Sequence, residues 1–267
     1  FLSLLLVPIF GTEIKGSKRW LDLIFLPRLQ PIEFVKPFFI IILALIISNK
    51  NLSNYTVKFL ISFSITSLIV SLLVLQPDLG QTLLIGFSWL ILIFVSGINL
   101  ILLIIMSIIG IIFLLYVAFY IPKFAYIKSR LLSFFDKETG THNFQSDKAL
   151  DSISSGGFFG KGIGEGTLKN RVPEAHTDYI ISVISEEFGV IPIMLILVLF
   201  LIFIFSILKK VDKETNNTIR LILVGSASLI LLQAMIHIGV NIRLFPTTGM
   251  TLPFLSYGGS SIISVSI

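Results

Sequence analysis

"VPEAHTDYIISVISEEFGV" (Val172–Val190) joins two kinds of sequence that rarely meet. Its first half is polar and compact, holding Pro173, Glu174, His176, Thr177 and Asp178. Its second half opens an apolar helix that the hydropathy extends to about Leu208, and it carries Glu186 and Glu187 into that helix. Carboxylates are costly near hydrocarbon, so the stretch reads as the doorway of a membrane helix. The rest of the chain has the same character. It is 55% hydrophobic and only 13% charged, where a soluble domain carries about a quarter. The expected fold class is therefore all-α, a polytopic helical bundle in a membrane.

Composition also excludes function classes. The formal net charge is +5 with no basic run, so nucleic acid is not an expected partner. Basic residues beside lipid meet anionic headgroups or phosphates instead. With 0 cysteines, disulfides and thiolate metal sites are ruled out. The chain opens at Phe1 in one apolar run and stops at Ile267 in another. The reading expects a fragment of a longer polytopic protein, a single membrane domain over 1–267.

A bilayer core needs roughly 20 apolar residues per helix. Segments of that kind lie at about 33–48, 57–76, 79–97, 99–121, 179–208 and 219–240, with partial spans at 1–10 and 259–267. Between them lie a polar loop at 11–32, the turn "QPDLG" at 76–80, a large loop at 122–177, a basic loop at 209–218, and "NIRLFPTTGMTLPFLSYGGSS" at 241–261. Irregular backbone is not tolerated against lipid, so these connections belong at surfaces or cavities. Lys209, Lys210, Lys213 and Arg220 place 209–218 in the cytoplasm. Parity then puts 49–58, with Lys50 and Lys58, inside as well. It puts 11–32, "QPDLG", 122–177 and 241–261 on the outer face. The region 11–36 conflicts with the charge rule, because it carries Lys15, Lys18, Arg19, Arg28 and Lys36 yet counts as outside. An anionic lipid substrate there would explain the bias; a miscounted span is the plainer alternative.

The chemistry-bearing residues gather on that face. Thr177 or Asp178 reads as the N-cap of the following helix. Beyond that role, Glu174, His176 and Asp178 crowd into one short turn, where a carboxylate suits a general base toward a hydroxyl. "SSGGFFGKGIGEGTLKNR" (154–171) suggests a nucleotide loop but fails on context. No strand precedes it, and its lysine lacks the following Ser or Thr. Its backbone N–H groups remain suited to phosphate oxygens, with Lys161, Lys169 and Arg171 nearby. In "RLLSFFD" (130–136), Arg130 either snorkels at the interface or grips a pyrophosphate. Asp78 either caps the helix starting near Leu79 or pairs with a basic residue of another outer loop. His142, His176 and His237 have no metal-site spacing, and His237 reads as a hydrogen-bonded core histidine. Glu186 and Glu187 read as structural, paired with neighbouring helices.

Six motifs in order make a resemblance: "KGSKRWLDL…QPIEFVK" (15–36), "QPDLGQT" (76–82), "RLLSFFD", "SGGFFGKGIGEGT", "VPEAHTDYI…EEFG" and "PTTGMTLPFLSYGGSS" (246–261). The whole chain resembles the SEDS family of bacterial cell-wall proteins and looks closest to its division-associated branch, FtsW. The resemblance implies a ten-helix fold, of which about seven to eight full or partial helices are present. It implies a multi-pass protein of the bacterial cytoplasmic membrane with its active site on the extracytoplasmic face. The implied activity is a peptidoglycan glycosyltransferase that polymerises lipid II and releases undecaprenyl pyrophosphate. The family's essential aspartate falls on Asp178, as base toward the acceptor 4-hydroxyl. Arg19, Lys36 and Arg130 match family positions as contacts to the leaving anion. Lys161, Glu174 and His176 join them as substrate-binding candidates, with Asp78, Arg243 and Ser256 in support. Implied partners are lipid II and the growing glycan strand, a class B penicillin-binding protein transpeptidase, other divisome membrane proteins and membrane lipids. No residue pattern demonstrates a cofactor; the candidate is a divalent cation, Mg or Mn, held by Asp178 with a pyrophosphate. The chain departs from the family wording at Ile32, Lys137, His237 and Thr248, with Arg243 a substitute charge for the last.

Two alternatives stand beside the enzyme: a lipid II flippase and a non-catalytic divisome scaffold. A flippase needs a polar track through the bilayer, yet the middles of the spans carry almost no charge. A scaffold has no need of a carboxylate in a cationic setting.

Overall fold

The computed structural model describes residues 2–14, 17–23, 26–52, 54–97, 100–135, 141–168 and 171–266. Among the described residues the chain forms eleven α-helices and three short strands. Five helices are long and apolar enough to cross a membrane. These are α2 (Pro31–Ser48), α3 (Tyr55–Leu75), most of α5 (Leu100–Tyr120), α9 (Val190–Lys213) and α10 (Asn217–Asn241). The chain is thus a multi-pass helical membrane protein. Helices α1 (Leu2–Phe10), α4 (Leu79–Val95) and α11 (Gly259–Ser266) are apolar but shorter. Packing groups the chain into two compact units.

The first unit comprises Phe1–Ile127, Ile207–Leu232 and Gly259–Ile267. Its helix starts follow from capping chemistry. Asn54 accepts the Thr56 N–H at 2.9 Å at the head of α3, and Asp78 accepts the Gln81 N–H at 3.3 Å at the head of α4; each satisfies a donor the helix itself cannot pair. Its apolar centre includes Phe39, Ile40, Leu43, Leu84, Ile85 and Leu92. Gly225 allows α10 to approach α2 closely, since a Cβ there would lie 2.5 Å from Ile40 Cγ2. The Ser48 and Thr218 hydroxyls hydrogen-bond at 2.7 Å, so the end of α2 and the start of α10 share one level. That agrees with the parity that puts 49–58 and 209–218 on one side.

Three sequence expectations need correction. Residues 11–32 are not a plain polar loop. They contain an antiparallel sheet, β1 (Thr12–Ile14), β2 (Ser17–Leu23) and β3 (Leu26–Leu29), with Thr12 opposite Trp20 and Leu21 opposite Leu29. Only Thr12, Ile14 and Trp20 among the strand residues are β-branched or aromatic, so propensity gave little sign of the sheet. Residues 122–177 are not one large loop either; they hold α6 (Ala125–Phe135) and α7 (Thr141–Gly156). Finally, the expected span at 179–208 is broken. Helix α8 (Ile180–Phe188) ends at Gly189, with φ 82° and ψ −169°, and α9 starts afresh at Val190. That backbone conformation is essentially restricted to glycine.

The second unit comprises Lys128–Ser206 and Gln233–Gly258. Here α7 packs against α8. One core cluster holds Ala149, Val172, Ala175, Tyr179 and Val240; a second holds Ile181, Ile193, Ala234 and Leu252.

Candidate active site

The turn that leads into α8 is organised by one carbonyl. Glu174 sits at φ 58°, and its carbonyl accepts the N–H groups of Thr177, Asp178 and Tyr179 at 3.1, 3.0 and 3.3 Å. The cap position of α8 falls on Tyr179, whose side chain makes no capping bond. Neither Thr177 nor Asp178 is the N-cap, because the backbone turns once more before the helix begins.

The outward side of the same turn is held just as tightly. Three consecutive carbonyls of the turn, those of His176, Thr177 and Asp178, each accept one bond from the 241–257 region. Tyr257 N–H donates to His176 O at 3.0 Å, Ser256 Oγ to Thr177 O at 2.6 Å, and Asn241 Nδ2 to Asp178 O at 3.1 Å. Ser256 Oγ also accepts the Leu252 N–H at 2.8 Å. Val172, Ala175 and Tyr179 anchor the turn from below, in the cluster with Ala149 and Val240. Against this fixed backbone Asp178 is half-buried, while Glu174 and His176 are exposed. Glu174 Oε2 accepts from Thr177 Oγ1 at 3.3 Å.

Arg130 belongs to the same neighbourhood. Its Nη1 donates to Thr247 O at 3.2 Å. Burial pushes the Tyr179 hydroxyl above its ordinary value near 10; the Asp178 carboxylate adds to the rise and the Arg130 guanidinium opposes it. A carboxylate, a phenol and a guanidinium therefore lie within mutual electrostatic reach. Arg243 is engaged elsewhere, pairing through Nη1 with Asp147 Oδ1 of α7 at 2.5 Å.

The glycine loop is bound to α8 rather than draped over it. Lys161 N–H donates to Glu186 O at 2.9 Å and Gly162 N–H to Glu187 O at 3.0 Å. Fully buried Glu186 accepts from Leu168 N–H at 2.9 Å and faces Lys161 Nζ at 3.5 Å; Glu187 accepts from Gly164 N–H at 3.2 Å. The partners of these two glutamates thus include the loop and its lysine, where the sequence led us to expect neighbouring helices. At least some of the loop's N–H groups are thus already taken. Lys169, like Lys15, Asp136 and Lys137, lies outside the described residues.

Arg19, Lys36 and Asp78 belong to the first unit. Arg19, carried by β2, donates through Nη2 to Pro77 O and places Nε 3.6 Å from Asp78 Oδ2. Asp78, 1% exposed, also accepts from Gln30 Nε2 at 3.3 Å. It therefore both caps α4 and pairs with a cation of the preceding sheet, so the cap and the ion pair left open by the sequence coexist. Lys36 Nζ pairs with Glu33 Oε2 at 2.7 Å, and Gln81 Nε2 donates to Glu33 Oε1 at 2.7 Å, all three side chains being buried. Among the described residues, no three His, Asp or Glu side chains converge as a metal site would require.

Asn241 was missed by sequence reasoning. The signal was a stripe in an otherwise apolar helix: Gln233, His237 and Asn241 recur every fourth residue, on one face of α10. Each is buried and faces the following loop or the Asp178 turn. Gln233 Nε2 donates to Thr251 O at 2.9 Å, and His237 Nδ1 bonds Met250 O at 2.7 Å.

The chain is thus a multi-pass helical membrane protein that fixes a carboxylate-bearing turn at the head of a short helix, within electrostatic reach of a guanidinium. Comparison with known proteins names the family. The FtsW/RodA/SpoVE cell cycle protein family matches residues 1–267, and the chain belongs to it. It is 34% identical over 270 residues to the probable peptidoglycan glycosyltransferase FtsW of Trichlorobacter lovleyi, covering 98% of this chain and 69% of the relative. It is 33% identical over 262 residues to the protein of the same name from Caulobacter vibrioides, covering 98% and 66%. The chain spans about two thirds of the length of these relatives. Among solved structures, it superposes on a chain of a peptidoglycan synthase complex that coordinates polymerization and crosslinking, with TM-score 0.78 at 26% identity over 99% of this chain and 74% of that one. It also superposes on the rod shape determining protein RodA of Thermus thermophilus, with TM-score 0.65 at 28% identity over 99% and 70%.

Proposed function

We propose that the chain is the greater part of a peptidoglycan glycosyltransferase that polymerises lipid II at the outer face of the bacterial cytoplasmic membrane during division. The Asp178 carboxylate takes the proton from the 4-hydroxyl of the acceptor sugar. The freed oxygen attacks the anomeric carbon of the donor glycan. The bond from that carbon to the pyrophosphate oxygen breaks, and undecaprenyl pyrophosphate leaves with the electron pair. Arg130 is the cation of the second unit that faces the growing negative charge; a planar guanidinium suits phosphate oxygens. Arg19 and Lys36, each already engaged by a carboxylate, act by shaping the first unit's buried polar network. None of these steps calls for a divalent cation; an Mg or Mn ion would be held by the Asp178 carboxylate together with the substrate's pyrophosphate. The partners are the glycan strand, membrane lipids, other divisome membrane proteins and a class B penicillin-binding protein transpeptidase; the likeness to a synthase complex that couples polymerization with crosslinking supports the last.

The observation that carries the reading is the turn itself. Holding a general base in place ahead of reaction is where much of an enzyme's advantage arises, and three consecutive carbonyls around Asp178 are pinned. The test is the full-length protein with its transpeptidase, reconstituted in vesicles with lipid II. Asp178→Asn abolishes polymer while folding and partner binding persist. Polymer formed by that variant near the wild-type rate would sink the assignment, and lipid translocation without polymer would favour a flippase.

A further inference from the structure

We infer that Asn241 is a positioning residue for the Asp178 base, acting from the end of α10 through the Asp178 carbonyl. The inference rests on Asp178 being the base. Asn241 is fully buried, and its Nδ2 lies 3.1 Å from Asp178 O and 2.9 Å from His237 O. Both neighbours are carbonyl oxygens, which only accept. The amide must therefore present its NH2 to them, because the flipped orientation would set oxygen against two oxygens. Its own Oδ1 is buried without a partner. A buried acceptor left unpaired is disfavoured, so a residue chosen merely to fill this space would be apolar. What the structure uses is the pair of donors.

One of those donors closes the helix's own last turn on His237 O, and the other reaches the carbonyl of the catalytic residue. The side chain thereby locks the Asp178 peptide to a rigid membrane helix. Ser256 and Tyr257 hold the two preceding peptides but come from an irregular segment. Asn241 is also the last member of the Gln233–His237–Asn241 stripe, whose first two members fasten the 250–251 backbone to the same helix. One face of α10 thus orders both the turn that bears the base and the 250–251 backbone of the segment that follows the helix. The charged groups near Asp178 in its own unit are Glu174 and His176 of the same turn and Arg130 of α6, which acts on Tyr179 together with Asp178. Releasing the Asp178 peptide changes the carboxylate's distance to all of them.

The experiment compares wild type, Asn241→Asp, Asn241→Ala and Asp178→Asn, all in the full-length protein with its transpeptidase in lipid II vesicles. Asn241→Asp keeps the shape and removes the donors; Asn241→Ala removes both. Each is expected to lower kcat about ten- to a hundredfold with KM within about twofold, as a misplaced base does. Each is also expected to displace the acid limb of the pH–rate profile by roughly half a unit or more. A variant that merely folds less well lowers the plateau and leaves the limb where it was, and that result overturns the inference. So does wild-type turnover of both Asn241 variants alongside an inactive Asp178→Asn. An active Asp178→Asn fails the underlying reading instead, and the two failures are distinct.

Discussion

Gly189→Ala tests whether the break between α8 and α9 is built into the backbone. Gly189 adopts φ 82° and ψ −169°, a region that a side chain raises by about 1–3 kcal/mol. An added Cβ would also lie 2.1 Å from Phe158 O and 2.7 Å from Gly160 N. Both atoms are backbone, so no rotamer change relieves the overlap. The glycine loop must move, and with it the bonds Val190 N–H to Gly157 O at 3.0 Å and Gly162 N–H to Glu187 O at 3.0 Å. Two such bonds contribute about 0.5–1.5 kcal/mol each, which brings the expected destabilisation to about 2–6 kcal/mol. The assay is thermal unfolding of the detergent-solubilised protein, where the loss should appear as a melting temperature lower by roughly 5 °C or more. Gly86→Ala is the matched control. Gly86 lies inside α4 with nothing within 4 Å of an added Cβ, so it should be neutral or stabilising by about 0.5–1 kcal/mol. If Gly189→Ala melts with wild type, the break owes nothing to that residue and the account of the doorway is wrong.

Two further outcomes follow from buried charge. Glu33→Ala removes the buried carboxylate that pairs with Lys36 and accepts from Gln81 and should destabilise by about 3–5 kcal/mol, while replacing both Glu33 and Lys36 with methionine should be far better tolerated; equal losses in chemical unfolding would deny the pairing its role. Tyr179 tests linkage. Its hydroxyl is raised above the ordinary value near 10, so at higher pH the unfolded chain releases a proton that the folded chain keeps. Stability present below pH 10 is then lost as pH rises beyond it, by up to about 1.4 kcal/mol per pH unit. Unfolding at pH 8 and pH 11 should show that loss in wild type and a smaller one in Tyr179→Phe; identical slopes would refute it.

The sequence by itself determined the class of molecule, because long apolar runs have one stable form in a bilayer, and runs at 33–48, 57–76, 99–121 and 219–240 became helices within a few residues. It also singled out the Asp178 turn, since a dense polar cluster at the mouth of an apolar run is costly unless it has a use. Asp78 was read in two ways, both correct, because capping is local and visible in sequence while its pairing with Arg19 required a strand that brought the cation over. Other features were beyond pattern reading. Gly189 looked like one more residue of a continuous span, and only its contact with the 157–160 backbone shows why the helix stops. Glu186 and Glu187 announced a need for partners without naming them, and those partners include a loop some twenty residues earlier in the chain. Asn241 sat in plain view in an apolar helix, yet its meaning depends on which carbonyl its amide meets. Hydrophobic patterning is a property of neighbours in sequence, whereas the placement of the Asp178 turn depends on hydrogen bonds between segments more than sixty residues apart, and only the folded chain brings those together.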